Sequence, residues 1–452
     1  MTAHGSATEP LHSRQVFTNW WPLAASWLLM GLELPAVSAV MARLPEPRIS
    51  LAAYGGVVFP LALLIESPIV MLLAASTALA RDWASYHLVR RFMWMTSGAL
   101  TVLHALIAFT PLYDFVVAHL LGVPDEIREP ARVGLQIMLP WTFSIAYRRT
   151  QQGVLIRHGH ARAVGIGTAI RLSAAGLVLA LGMVAGNLPG IVVGTLAVIA
   201  GVGSEAIYAA VRVHAVLRDQ VRPAPAVGPP LTMQRFVKFY LPLSVTPLIV
   251  FLAMPMSSAA MSRMASPLDS LAVWPVVSGL VFTLRSTGFA LNEVVVALIE
   301  RPGAVPVLRR FTLALATITM GLLLVVAVTP LGGLWFGRVS ALSPDLEALA
   351  RASLWVAIAL PALSTLQSFY QGAIVHSHRT RGVTEAVLIY LATSAAVLGA
   401  GVTWLRFPGL FVALAAMVVG NALMVVWLRL RARGVLRELE GASDHAVPAA
   451  VS

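Results

Sequence analysis

The chain has 452 residues, 58% of them hydrophobic and only 12% charged, with a mean hydropathy of +0.81. No ordinary soluble domain approaches that composition, so the chain reads as an integral membrane protein. The lack of cysteine excludes disulfides, thiolate nucleophiles and Cys-ligated metals, and the +12 formal charge lies in short bursts between apolar runs, not on one surface that would take nucleic acid.

In chain order, the first sixteen residues, MTAHGSATEPLHSRQV, are polar and lack the basic n-region, apolar h-region and cleavage site of a secretory signal. Residues 1–15 are therefore expected to be a mature cytoplasmic segment. Backbone amides in hydrocarbon must be satisfied within their own segment, so apolar runs of about twenty residues predict helices. Twelve such spans follow, at 16–42, 50–79, 88–110, 128–156, 163–186, 190–216, 236–263, 270–299, 308–330, 346–375, 383–404 and 408–430. Between spans 6 and 7, RDQVRPAPAVGPPLTMQRF reads as a proline-rich linker, 218–235, joining a lobe at 16–217 to a lobe at 236–430. The tail, 431–452, is expected to be cytoplasmic and disordered beyond Arg437.

Cytoplasmic loops retain positive charge, so alternate connections test orientation. With the N-terminus inside, twenty-two Lys and Arg fall inside and eight outside, the inside set including Arg90 and Arg91, Arg148 and Arg149, and Arg309 and Arg310. Only Arg171 and Arg285 are assigned to neither side. This bias predicts both termini in the cytoplasm and a multi-pass protein of a bacterial-type inner (plasma) membrane. Thirty-one arginines to one lysine reflect genome composition rather than chemistry.

The chain is also written twice. Shifted by 220, residues 22–52 match 242–272 at thirteen of thirty-one positions, where chance in so apolar a composition gives about three. The matches include Pro35 with Pro255, Arg43 with Arg263 and Pro47 with Pro267. At a shift of 219, Arg90-Arg91-Phe92 falls on Arg309-Arg310-Phe311, and QQGVLIRHGHARAV on YQGAIVHSHRTRGV through Gln152 and Gln371, Gly153 and Gly372. Two repeats of six spans each start on the same side, which predicts two lobes related by an axis along the membrane normal with a substrate path at the repeat interface. Rocking of the lobes follows as a hypothesis. Pro35 and Pro255 each remove a backbone hydrogen bond and favour a kink, which serves either packing or bending.

On these residues the chain resembles the multidrug/oligosaccharidyl-lipid/polysaccharide (MOP) exporter superfamily, which includes the multidrug and toxin extrusion (MATE) transporters. LLGVPDEIREPARVGLQIMLP (120–140) and VSALSPDLEALARASLWVAIALP (339–361) resemble the family stretch between the third and fourth spans of each half. QGVLIRHGHARAV and QGAIVHSHRTRGV resemble its glutamine-glycine motif. Within the superfamily, GLELPAVSAVMAR (31–43), LAAYG (51–55) and TGFALNEVVVAL (287–298) are similar to the progressive ankylosis (ANK) family, with acidic residues matching at Glu33 and Glu293. The resemblance implies two six-helix lobes, a cleft lined by spans 1, 2, 7 and 8, and alternating access. ANK-type proteins export small polyanions such as citrate, pyrophosphate and nucleotides; MATE relatives couple drug export to cation entry, and other branches flip lipid-linked sugars.

Charged side chains at mid-bilayer are costly unless paired or hydrated, so they mark cavities or partners. Arg285 lies near the middle of span 8, and the repeat places its neighbour Ser286 on Glu66 of span 2. Two readings stand. Arg285 anchors an anionic substrate with its guanidinium fork, helped by Asn292 seven residues along the same face, or Arg285 and Glu66 form a permanent salt bridge that closes the lobes. Glu33, just before Pro35, is a candidate for proton or sodium coupling, because the proline frees carbonyls nearby; a hydrogen bond to a neighbouring helix is the plainer reading. Glu293, about 80 degrees round the helix from Arg285, is a gate contact or a solvated group at the cytoplasmic mouth. Arg171 and Glu205, in adjacent spans 5 and 6, predict an internal structural ion pair, and Gln152, Gly153, Gln371 and Gly372 predict close packing at helix ends.

The H-x-H pairs His158/His160 and His376/His378 have no carboxylate at metal-ligand spacing, and there is neither a P-loop nor a G-x-S-x-G nucleophile motif. The expectation is thus an all-α membrane transporter, not an enzyme, with no cofactor or metal. Its partners are a small organic or phosphorylated anion, membrane lipid and a proton or sodium ion. A lipid-linked substrate flippase and a cation-coupled multidrug exporter are the alternatives within transport, and a membrane scaffold or receptor is the alternative outside it.

Overall fold

The computed structural model describes residues 11–225, 229–377, 381–404 and 406–445. Among them the regular structure is all helical, apart from one isolated bridge between Ala265 and Pro408. Eleven helices are long and apolar enough to cross a membrane, from Ser13–Met41 to Gly409–Glu440, so the all-helical, multi-pass membrane fold read from the sequence is the fold observed. The fourth expected span is helical too, over Asp125–Ile137 and Trp141–Arg157. It is interrupted before Trp141 and its second piece carries Arg148, Arg149, Gln151 and Gln152, which keeps it below the hydropathy of the others.

The expected disorder beyond Arg437 is corrected at its start: the last helix runs unbroken over Gly409–His445. Its extension is held by contacts, Glu440 pairing with Arg309 at 3.1 Å and Arg431 with Glu385 at 2.5 Å. The final seven residues lie outside the described part.

The chain forms two compact units that exchange the first span of each half. One, here the N-terminal unit, comprises Ala36–Pro275 and Gly401–Leu410; the other, the C-terminal unit, comprises Val276–Ala400, the chain from Phe411 onward and the residues up to Pro35. In the C-terminal unit Val16, Trp20 and Ala24 of span 1 are buried in one core with Leu291, Val295, Phe369 and Leu428. In the N-terminal unit a core of Tyr86, Val154, Leu155, Val213 and Val216 joins spans 3, 4 and 6.

The repeat is visible in backbone detail. Helices begin at Pro47 and Pro267 after residues in the left-handed region, Glu46 at φ 54° and Ser266 at φ 50°. Wide helical turns occupy Phe115–Leu121 and Leu334–Val339, followed by Gly122 at φ 64° and Ala341 at φ 52°. The glutamine-glycine motif packs alike in both halves. A side chain at Gly153 would collide with Ser76 and with the carbonyl of Leu73, and one at Gly372 would meet Val295 and stand 3.1 Å from the carbonyl of Asn292. Only glycine permits so close an approach to another helix.

The halves differ in spans 1 and 2. Span 1 is interrupted at Leu32, between Ser13–Gly31 and Glu33–Met41, whereas span 7 is one helix, Met233–Met261, with Pro242, Pro247 and Pro255 inside it. Span 2 passes through a wide turn at Tyr54–Val58 and a tight one at Ser67–Ile69, whereas span 8 is one helix, Pro267–Leu298. The interruption of span 1 falls three residues before Pro35, whereas Pro255 lies inside an unbroken helix.

Candidate functional site

Each of the two irregular spans carries a glutamate at its break. In span 1, Pro35 has no N–H to give to the carbonyl of Gly31, four residues earlier. Thr283 of span 8 offers a donor in its place, its hydroxyl shared between Gly31 O at 3.0 Å and Gly279 O of its own helix at 2.9 Å. The two helices are close there: a side chain at Gly31 would stand 3.2 Å from the Thr283 Cα, and one at Gly279 would stand 3.2 Å from Pro35. Glu33, half-buried, begins the helical piece after this junction.

Arg285 lies two residues beyond Thr283 and is half-buried within the C-terminal unit. Its Nε donates to the Ser364 hydroxyl at 2.6 Å and its Nη2 to Asn421 Oδ1 at 3.4 Å. The guanidinium lies 5.6 Å over the Phe289 ring, and Tyr390 is within electrostatic range. All four of these neighbours are neutral, so the charge of Arg285 is positioned without being cancelled inside its own unit. Asn292 turns to span 10, its amide donating to Ser368 O at 3.4 Å, and Glu293 is exposed.

The N-terminal unit holds a larger cluster. Glu66, only 4% exposed, ends the middle helical piece of span 2 at Phe59–Glu66. The helix breaks there because Pro68 cannot donate to Leu64 O, which instead accepts from the Ser67 hydroxyl at 2.7 Å. The cations facing Glu66 are Arg149, Arg148 and Arg171. Glu205, 1% exposed, accepts from Arg148 Nη1 at 2.6 Å and from Gln152 Nε2 at 2.9 Å, while Arg171 stands 3.9 Å away. Three guanidinium groups face two carboxylates, and Glu66 Oε2, Arg148 Nε and Arg149 Nε are buried without hydrogen-bond partners.

Arg148 and Arg149, read from the sequence as cytoplasmic markers, are built into this cluster. Arg148 is 7% exposed and is the nearest cation to Glu205, with Arg171, the partner expected from the sequence, also within ion-pair distance at 3.9 Å. The signal was available in spacing: Arg148 and Gln152, four residues apart, share a helical face and both reach Glu205. His158 and His160 bond locally, to Val154 O and to Gln220.

No family model matches this sequence, and no curated protein does. Its structure, however, resembles solved ones along almost its whole length. An inward-facing multidrug resistance MATE family transporter of the MOP superfamily aligns with a TM-score of 0.72 at 14% identity, covering 93% of this chain and 99% of that one. The lipid II flippase MurJ, in an inward closed conformation, aligns with a TM-score of 0.68 at 12% identity, covering 94% and 91%. A MOP superfamily transporter from Pyrococcus furiosus, described as having a binding pocket of reverse polarity that suggests a different function, aligns with a TM-score of 0.60 at 16% identity, covering 97% and 99%. The chain thus has the fold of the MOP superfamily transporters, shared by MATE proteins and the MurJ flippase.

Proposed function

We propose that this chain is an alternating-access membrane transporter of MOP type that carries a small organic or phosphorylated anion out of the cytoplasm, without enzymatic chemistry. The observation that carries the reading is Arg285, whose guanidinium is fixed by Ser364, Asn421 and Phe289 with no acidic partner among the described residues of its unit. A fixed, uncompensated fork in low dielectric favours carboxylate or phosphate oxygens. Within the N-terminal unit, guanidinium groups likewise outnumber carboxylates around Glu66. Reversed pocket polarity described for the Pyrococcus furiosus transporter offers a precedent for this fold carrying a pocket of different polarity, and the similarity of residues 31–43 and 287–298 to the progressive ankylosis family agrees with an anion. Glu33, at the interruption of span 1, is the candidate for proton or sodium coupling, and the basic bias of the loops supports an inner-membrane protein with both termini cytoplasmic.

A lipid-linked substrate is the second reading, supported by the likeness to MurJ. The deciding experiment is untargeted metabolite analysis of medium and cytosol from cells expressing wild type, Arg285→Ala or Arg285→Lys. A soluble anion exported by wild type and retained by both variants is the expected result. Wild-type-dependent changes confined to lipid-linked species would favour the second reading.

A further inference from the structure

Two cavities follow one another along the groove between span 3, Trp83–Phe109, and span 7, Met233–Met261, within the N-terminal unit. The first, about 610 Å³, lies at the start of both helices and is lined by His87, Leu88, Arg90, Arg91, Trp94 and Met233. The second, about 200 Å³, is lined by Phe92, Thr96, Val237, Leu241 and Ser244 together with Pro68 and Tyr240. Its residues continue one to three turns farther along the same two helices. A basic mouth with a tryptophan and an apolar trough thus lie one after the other along the same pair of helices.

Among the described residues that line the mouth there is no carboxylate. Arg90 bonds His87 Nδ1 at 3.2 Å and lies over the Tyr86 ring at 5.7 Å, contacts that orient it and leave its charge in place. The other half of the chain shows what neutralisation looks like. There the repeat counterpart of Arg90 is Arg309, and Glu440 of the extended last helix pairs with it at 3.1 Å. Near the matching end of span 6 the acidic residue is Asp219, which is taken by its neighbour Arg218 at 2.6 Å. One half supplies its own anion to this position, and the other does not.

We propose that this groove binds one anionic phospholipid, its phosphate between Arg90 and Arg91 and an acyl chain along Phe92, Thr96, Val237 and Leu241. Clustered arginines at the ends of membrane helices attract anionic head groups, and an exposed Trp such as Trp94 sits at head-group depth. The apolar trough commits the ligand to a lipid, because a free phosphate would leave it unused. The site is separate from Arg285 and does not depend on what is transported.

The test is native mass spectrometry of the full chain in detergent, offered phosphatidylglycerol or phosphatidylcholine of identical acyl chains. Wild type should retain phosphatidylglycerol selectively. The double variant Arg90→Gln, Arg91→Gln should lose that selectivity by about fivefold for each arginine removed, Leu241→Trp should weaken retention by filling the trough, and Arg310→Gln, at the repeat counterpart of Arg91, should behave as wild type. Thermal melts of each variant establish that it is folded. Equal retention of the two lipids by wild type, or unchanged selectivity in a folded Arg90, Arg91 variant, would overturn the proposal. So would competition by inorganic phosphate in parity with the lipid, since that would show a phosphate site to which the trough contributes nothing.

Discussion

Trp20 donates its indole N–H to the carbonyl of Thr287 at 2.9 Å, joining span 1 to span 8. The repeat writes the same bond a second time: Tyr240, 220 residues after Trp20, donates its hydroxyl to the carbonyl of Pro68, 219 residues before Thr287, at 2.6 Å. The rings correspond as well. Trp20 packs edge-on to Phe311 at 5.6 Å, and Tyr240 edge-on to Phe92 at 5.0 Å. In each unit an aromatic donor on an exchanged span ties it to the helix that receives it. Trp20→Phe and Tyr240→Phe should each cost about 1 kcal/mol, with effects that add, because the two bonds share no partner. Thermal unfolding of the two single variants and the double variant measures this.

The junction at Pro35 gives a second prediction. Thr283→Val removes the donor that satisfies Gly31 O while keeping the shape of the side chain, so the expected loss is about 1–3 kcal/mol of stability. Thr283→Ser should retain most of it. Equal melting of the Val and Ser variants would show that the carbonyl finds another donor.

Glu205 anchors Arg148 and Gln152 in the buried cluster. Glu205→Ala leaves Arg148 uncompensated in the interior and should destabilise the protein by about 3–5 kcal/mol. Replacing both members of the pair by apolar residues, as in Arg148→Met with Glu205→Leu, should recover a large part of that loss. A double variant no more stable than Glu205→Ala would assign the cost to lost packing instead.

The left-handed residues make a reciprocal pair. Gly122 and Ala341 hold the same place in the repeat, both with positive φ, and a side chain there costs about 1–2 kcal/mol. Ala341→Gly should therefore raise the melting temperature. Gly122→Ala should lower it by more than that penalty alone implies, because its new methyl would also stand 3.1 Å from the Arg263 guanidinium, which caps the carbonyls of His119, Leu120 and Leu121.

For transport, Arg285→Lys keeps the charge but loses the fork held by Ser364 and Asn421. Loss of an oriented charge-assisted contact is expected to reduce anion flux by about tenfold or more, read as uptake into proteoliposomes at fixed substrate concentration. Undiminished flux with lysine would mean that the arginine serves the helix packing of its own unit.

Most of the helical architecture is legible in the sequence, because hydropathy and positive charge set the spans and a gapless shift of 220 sets the repeat. What escaped depended on contacts distant in sequence. Arg148 and Arg149 look like loop residues when counted as charges, and only the third dimension places Glu205 and Glu66 against their helix. The tail looked disordered because its own composition is polar, yet its helix persists where Arg309 meets Glu440. Equivalent prolines, Pro35 and Pro255, predicted equivalent kinks. A proline removes a donor wherever it falls, but its surroundings decide whether the helix parts there, and Thr283 stands ready at one of the two.

The exchange of first spans also bears on biogenesis. Span 1 leaves the ribosome before the eleven spans that follow it, but the core that buries Val16, Trp20 and Ala24 is built from residues as late as Leu436. It must therefore wait in the bilayer, its tryptophan unclaimed, until the last of those spans has been synthesised.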